Sequence, residues 1–343
     1  MLETINAMFA PGKGLLAADE SSATADKRFD SVGIEKTVEN RRLYRQLLFT
    51  APATEQFVSG IILYDETFWQ KTDQGELFVD YLARKGIMPG IKVDMGLTDL
   101  PGFPNEQVTE GLDGLLRRMA NYSHMGARFA KWRAAIKIGD DIPTDECIGA
   151  NTYTLARYAR ICQEANIVPI VEPEILFDGS HSIERCEEVM RHTFDILFHT
   201  MRAFKVDMQC AVLKTSMVLP GKEIGEDNID ADQVAGRTSA VLVENVPNDL
   251  GGTVFLSGGQ TPKQAMVHLN RIEQKGTYPW GLTFSYSRAL QDPVLKYWGE
   301  NMDDVMGAQA IFGTKLKQAS QASLGQLDEA DLDKDDFVTE SQN

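Results

Sequence analysis

The chain has 343 residues, 43% of them hydrophobic, and carries 50 acidic against 34 basic residues for a net charge of −16. That charge argues against non-specific binding to nucleic acid or anionic membrane, and no apolar run approaches the roughly 20 residues that cross a bilayer. Residues 1–13 lack a basic stretch followed by an apolar core, so no secretory signal and a cytoplasmic location are expected.

In chain order, eight apolar runs each lead to reactive side chains. Run 14–18 leads to Asp19 and Glu20, and 60–64 to Asp65 and Glu66. Run 87–93 contains Lys92 and ends at Asp94, while 128–136 alternates around Lys131 and Arg133. Run 167–171 leads to Glu172 and Glu174, and 210–213 to Lys214. Run 253–256 precedes Ser257, Gly258 and Gly259, and 281–284 precedes Ser285, Ser287 and Arg288. A lone lysine closing a strand usually marks a solvated edge; eight repetitions argue for a common rim.

Roughly 25 to 45 residues separate successive runs, the crossover length that joins parallel strands through a helix. Helical apolar spacing appears between them, at Leu112, Leu115, Leu116 and Met119, at Leu155, Tyr158, Ala159 and Cys162, and at Val189, Thr193, Ile196 and Leu197. The expectation is an α/β fold, a closed (β/α)8 TIM barrel spanning 1–343 as one domain, with an N-terminal helical extension and an acidic tail from about 320. In such a barrel the carboxyl ends of all strands meet, so the reactive residues would converge.

The four cysteines, Cys147, Cys162, Cys186 and Cys210, show no CxxC spacing and read as buried free thiols. His124, His181, His192, His199 and His268 form no metal-binding pattern, and no metal or other cofactor is expected. Asp331, Asp333 and Asp335 faintly resemble a calcium loop, but Asp336 stands where its sharp turn needs glycine, and a solvated tail is the plainer reading.

A rim carrying Lys92, Lys131 and Lys214 suits amine chemistry. Crowding and burial both disfavour the charged forms, so one lysine could attack a carbonyl as a neutral amine. Glu172 is placed to move protons, while Asp19, Asp94 and Glu174 balance charge or, on the plainer reading, form structural ion pairs. Ser257, Gly258 and Gly259 after the seventh run, with Ser285 and Arg288 after the eighth, stand where barrels often seat a phosphate. Lys27 and Arg28 follow the first run in a Ser- and Thr-rich segment that could hold a second anion. A carbonyl compound with a phosphate at each end would suit the whole.

The stretches GKGLLAADES, ENRRLYRQLL, GIKVD, FAKWR, IVPIVEPEIL, FLSGGQ and LTFSYSRAL, taken in order, make the sequence resemble the class I, Schiff-base fructose-bisphosphate aldolases from about Gly12 to about Trp298. The resemblance implies that Lys214 forms the imine, Glu172 transfers protons, and Asp19 contacts the hydroxyl at the bond broken. It implies that Lys131 and Lys92 hold charge and substrate. Ser257, Gly258, Gly259, Ser285 and Arg288 would bind the ketone-side phosphate, and Ser21, Thr24 and Arg28 the aldehyde-side one. It also implies a sugar bisphosphate substrate, no metal, and a homotetramer.

Departures from the family pattern are Thr215-Ser216 after the lysine, where animal members have Pro-Asn, Ser287 for glycine, Met95 for lysine and Thr24 for serine. Animal members end in a tyrosine implicated in proton exchange, whereas no tyrosine follows Tyr297 here. An aldolase for single-phosphate sugars and an idle scaffold barrel are the rival readings.

Overall fold

The computed structural model describes residues 1–225 and 229–332. Its strands are β1 (Gly14–Ala18), β2 (Val58–Leu63), β3 (Met88–Lys92), β4 (Leu97–Asp99), β5 (Gln107–Thr109), β6 (Phe129–Ile136), β7 (Val168–Ile175), β8 (Val212–Thr215), β9 (Gly252–Phe255) and β10 (Gly281–Tyr286). Its α-helices are α1 (Leu2–Met8), α2 (Ser22–Asp30), α3 (Val38–Phe49), α4 (Pro52–Phe57), α5 (Asp65–Phe68), α6 (Phe78–Arg84), α7 (Leu115–His124), α8 (Asp145–Glu164), α9 (Ile183–Ala203), α10 (Ala231–Asn245), α11 (Pro262–Lys275), α12 (Arg288–Glu300) and α13 (Val305–Ala322).

Eight parallel strands close on themselves in the order β1-β10-β9-β8-β7-β6-β3-β2, and the expected (β/α)8 barrel is the observed architecture. The eight apolar runs are its strands. In the interval after β3, where the apolar spacing suggested only a helix, β4 and β5 form an antiparallel hairpin. Glu106 pins it to the start of α8 by accepting hydrogen bonds from the Thr144 amide and hydroxyl, each 2.7 Å.

Strand alternation decides what the interior contains. Leu15, Ile62, Phe129, Val168, Val212 and Val254 point inward and form the lower core with Ile5 and Met8 of α1, which close the amino end of the barrel. The intervening residues, among them Leu16, Ile61, Ala130, Trp132, Val171 and Leu213, belong to the larger core that includes the surrounding helices. Two or more positions further along the same inward-facing columns come Asp19, Lys131, Glu172 and Lys214.

Several bounds differ from the sequence reading. Glu172 and Glu174 lie within β7 and Lys214 within β8, because the inward face turns polar while backbone pairing continues; Lys131 and Arg133 lie within β6, as their run 128–136 has them. Leu112 precedes α7 and Leu116 is 55% exposed; Leu115, Met119 and Tyr122 make the buried stripe instead. Residues 320–322, counted with the tail on sequence grounds, end α13. The chain then packs on α11, where Asn270 exchanges hydrogen bonds with Leu327 and Arg271 pairs with Glu329 at 2.8 Å. Asp333, Asp335, Asp336 and the chain end lie outside the described residues.

Candidate active site

The polar ends of the inward columns line a cavity of about 470 Å³ at the carboxyl rim. Lys214, with its side chain 4% exposed, has Nζ 3.2 Å from Glu172 Oε1. Lys131 Nζ lies 3.2 Å from Glu172 Oε2 and 2.7 Å from Asp19 Oδ2. Amine and carboxylate thus alternate across four strands, Lys214, Glu172, Lys131, Asp19. Glu172 Oε2 has a cation beside it but accepts no hydrogen bond of good geometry.

Electrostatics in this chain run against one expectation. Burial by itself would push the Lys131 ammonium toward losing its proton, but Asp19, Glu172 and Asp94 outweigh that and hold its pKa above the usual lysine value. Interleaved carboxylates, not neighbouring ammonium groups, dominate its surroundings. Burial likewise pushes the Glu172 carboxyl up, and Lys131, Lys214 and Arg133 overcome it, holding it well below the usual carboxylate range.

Lys92 Nζ meets Asp94 Oδ1 at 2.7 Å, and Arg133 pairs with Glu174. The Asp94, Arg133 and Glu174 ion pairs are what the plainer reading of those residues expects, yet all three line the cavity. Five carboxylates and five cationic side chains line it in total. Among the described residues the four lysine and arginine side chains just placed each have a carboxylate in ion-pair contact, whereas Arg288, exposed at the first position of α12, makes no such close pair and acts on Asp292 only at longer range.

Around Arg288 stand groups suited to an anion. Ser257 is buried, and the Ser285 hydroxyl is buried without a hydrogen-bond partner. Gly258 and Gly259 adopt φ of +48° and +86°, left-handed values that a side chain would strain. The turn they make leads directly into α11, whose first turn is closed by a capping box between Thr261 and Gln264.

Ser21 and Thr24 also line the cavity, Ser21 capping α2 by accepting from the Thr24 amide at 3.3 Å. Arg28, expected at the aldehyde-side phosphate, is not brought there by the structure. Its guanidinium pairs with Glu20 and, at 2.8 Å, with Asp292, and it lines a separate small cavity instead. Gly259 follows the lined turn without itself facing the cavity.

Glu20, in sequence only the close of the first run, has partners in Arg45 and Gln291 that no motif singles out. Glu20 accepts from Arg28, from Arg45 at 2.7 Å, from Ser287 at 2.5 Å and from Gln291 at 3.2 Å. Gln291 also donates to Ala17 O at 2.7 Å, so this cluster ties α12 to β1 where the barrel closes. Glu20 stands next to Asp19 in the AADES stretch, and closing the first run already places it at the rim, whereas Arg45 lies in ENRRLYRQLL, where nothing local marks it as Glu20's partner.

None of the histidines lines the cavity: His192 meets Asp145 at 2.7 Å, and the buried His268 meets Gln260 at 2.6 Å. Among the described residues no group of three or more His, Cys, Asp or Glu side chains is arranged to hold a metal. All four cysteines are free and buried.

A buried amine pair interleaved with carboxylates at the carboxyl rim of a (β/α)8 barrel is the equipment of barrel enzymes that work through a lysine amine. The chain belongs to the class-I fructose-bisphosphate aldolase family, whose model matches residues 1–342. It is 50% identical over 326 residues to a probable fructose-bisphosphate aldolase class 1 of Xanthomonas axonopodis pv. citri, covering 95% of this chain and 97% of that one. It is 49% identical over 316 residues to the cytosolic fructose-bisphosphate aldolase 4 of Arabidopsis thaliana, covering 92% and 80%. Fructose-bisphosphate aldolase from Plasmodium falciparum, solved in complex with TRAP and a small-molecule inhibitor, superposes with a TM-score of 0.93 at 43% identity, covering 95% and 94%.

Proposed function

We propose that this chain cleaves fructose 1,6-bisphosphate reversibly to dihydroxyacetone phosphate and glyceraldehyde 3-phosphate through a Schiff base on Lys214, serving glycolysis and gluconeogenesis. The observation that carries this is the enclosed Lys214 amine 3.2 Å from Glu172 at the carboxyl rim, in a chain of this family.

Lys214 hands one proton to its partner Glu172 and adds as the amine to the ketone carbon, and the proton then in surplus on nitrogen passes to the new alkoxide to give the carbinolamine. Glu172 returns a proton to the carbinolamine hydroxyl, which departs as water and leaves a cationic iminium. The iminium takes up the electron pair of the bond between the third and fourth carbons, while Asp19 accepts the proton of the C4 hydroxyl. Aldehyde is released and an enamine remains, which is protonated and then hydrolysed to free the amine. Lys131, kept charged by its carboxylates, holds Asp19 and Glu172 at fixed separation and offers positive charge to the forming oxyanion. Arg288, Ser257, Ser285 and the Gly258 backbone receive the ketone-side phosphate. Ser21, Thr24 and the amino end of α2 receive the other, with Lys92 completing the wall.

Borohydride trapping tests the reading. After incubation with dihydroxyacetone phosphate and reduction, the adduct is expected on the peptide containing residues 210–217. Lys214→Met is expected to abolish it and to lower turnover by at least about 10³-fold while circular dichroism stays native; an adduct that persists would move the imine to Lys92 or Lys131. Turnover is expected to survive excess EDTA, and loss on chelation would sink the metal-free route.

No helix among the described residues is long and apolar enough to cross a membrane. The cytosolic plant relatives support a cytoplasmic location, and family resemblance supports a homotetramer, which sedimentation equilibrium would test.

A further inference from the structure

We propose that Phe177 is a positioning residue that sets the phosphate turn 257–259 relative to Lys214. The idea rests on the reading of Lys214 and of that turn given above, and it arises from how three rim loops meet. Phe177 lies two residues past the end of β7, the strand that carries Glu172. Its ring rests on the backbone of the turn after β9: a Cβ placed on Gly259 would lie 3.1 Å from Phe177 Cδ1.

The Phe177 main chain is itself fastened to the loop after β8, the strand that carries Lys214. Lys222 N donates to Phe177 O at 2.8 Å, Glu223 N to Gly179 O at 3.1 Å, and Gly221 N to His181 O at 2.8 Å. The two loops approach so closely that a Cβ on Gly221 would come within 2.2 Å of Gly179 O. One ring, held by this backbone clasp, therefore fixes the distance between the amine and the seat of the phosphate. A shift of that turn would leave the amine, Glu172 and Lys131 where they are but would misplace a phosphorylated ketone. Groups of this kind act on binding through the site's support, not on the chemical step itself.

The test compares dihydroxyacetone phosphate with unphosphorylated dihydroxyacetone. Phe177→Ala is expected to raise KM for the bisphosphate and the inhibition constant of inorganic phosphate about tenfold while kcat moves by less than about twofold. Borohydride trapping of dihydroxyacetone on Lys214 is expected to persist, whereas trapping of its phosphate at low concentration falls. Phe177→Leu should recover most of the loss by refilling the space beside Gly259, and Gly221→Ala, which forces the clasp apart from its other side, should reproduce it. Equal losses with both ketones, or an unchanged KM in Phe177→Ala and Gly221→Ala, would overturn the proposal. Should Phe177→Ala fail to fold, Phe177→Leu and Gly221→Ala decide alone. If the unsubstituted chain traps both ketones equally well, the phosphate seat itself is wrong; if it traps neither, the imine is.

Discussion

Glu20 shows what one side chain does at the place where the barrel closes. Its carboxylate, about 10% exposed, takes hydrogen bonds from Arg28, Arg45, Ser287 and Gln291. Burial pushes its carboxyl up, yet Arg45, Arg28 and the Ser287 hydroxyl bring it down to about 2. A carboxyl whose folded value lies below its ordinary 4.5 binds fewer protons folded than unfolded, so its stabilisation is whole above pH 4.5 and drains as the pH falls toward 2. Glu20→Gln leaves the buried Arg45 without its anion and should cost roughly 3 kcal/mol at pH 7, read from urea midpoints. That deficit should narrow between pH 5 and pH 3, because the parent loses the contribution there; a deficit constant with pH would contradict the assignment. Sequence motifs picked out Lys214, Glu172, Asp19 and Lys131, each in or at the end of an apolar run, and the structure brings the four side chains together. Those motifs could not show that Arg28 is taken by Glu20 and by Asp292, a partner 264 positions away.

At the level of elements, what matters is how a strand hands over to its loop and helix. The turn after β9 is held between the Gly258 and Gly259 backbone and the capped start of α11. Thr261→Ala removes the oxygen that accepts the Gln264 amide at 3.2 Å and should lower stability by about 1 kcal/mol. Because α11 begins where the phosphate turn ends, the same change should also weaken inhibition by inorganic phosphate; a stability loss with untouched phosphate inhibition would show that helix and turn are uncoupled. Apolar runs made the strands readable, but the carboxyl ends of β7, β8 and β10 were placed too early. A polar side chain looks like the end of a buried strand, whereas in a barrel it can be the top layer of the interior. The β4–β5 hairpin escaped notice because three-residue strands carry too little pattern.

For the molecule as a whole, the barrel has two ends with opposite tasks. The carboxyl end is polar and locally balanced, five acids against five bases, in a chain of net charge −16. The amino end is closed by apolar residues of α1, with Met8 fully buried and Ile5 7% exposed beneath the lower core. Deleting residues 1–9 should therefore lower stability by roughly 1.5–3 kcal/mol for each of these two side chains. Trapping of dihydroxyacetone phosphate per folded molecule should be retained at low temperature. Loss of trapping in a deletion variant that still unfolds cooperatively would mean that the two ends are coupled.

From its sequence alone this protein could be read as a repeating strand and helix unit with its reactive groups at strand ends, and as a relative of one aldolase family. Those features are local: the two-residue period of a strand and a motif of five to ten residues survive without knowledge of neighbours. Which charge meets which was settled only in three dimensions. Lys131 stays protonated and Arg28 turns away because each outcome depends on carboxylates brought close by the fold, and Asp292, taken by Arg28 across 264 positions, leaves Arg288 only a longer-range interaction. Coulomb interactions act across space within a few ångströms, and sequence separation carries no record of that distance.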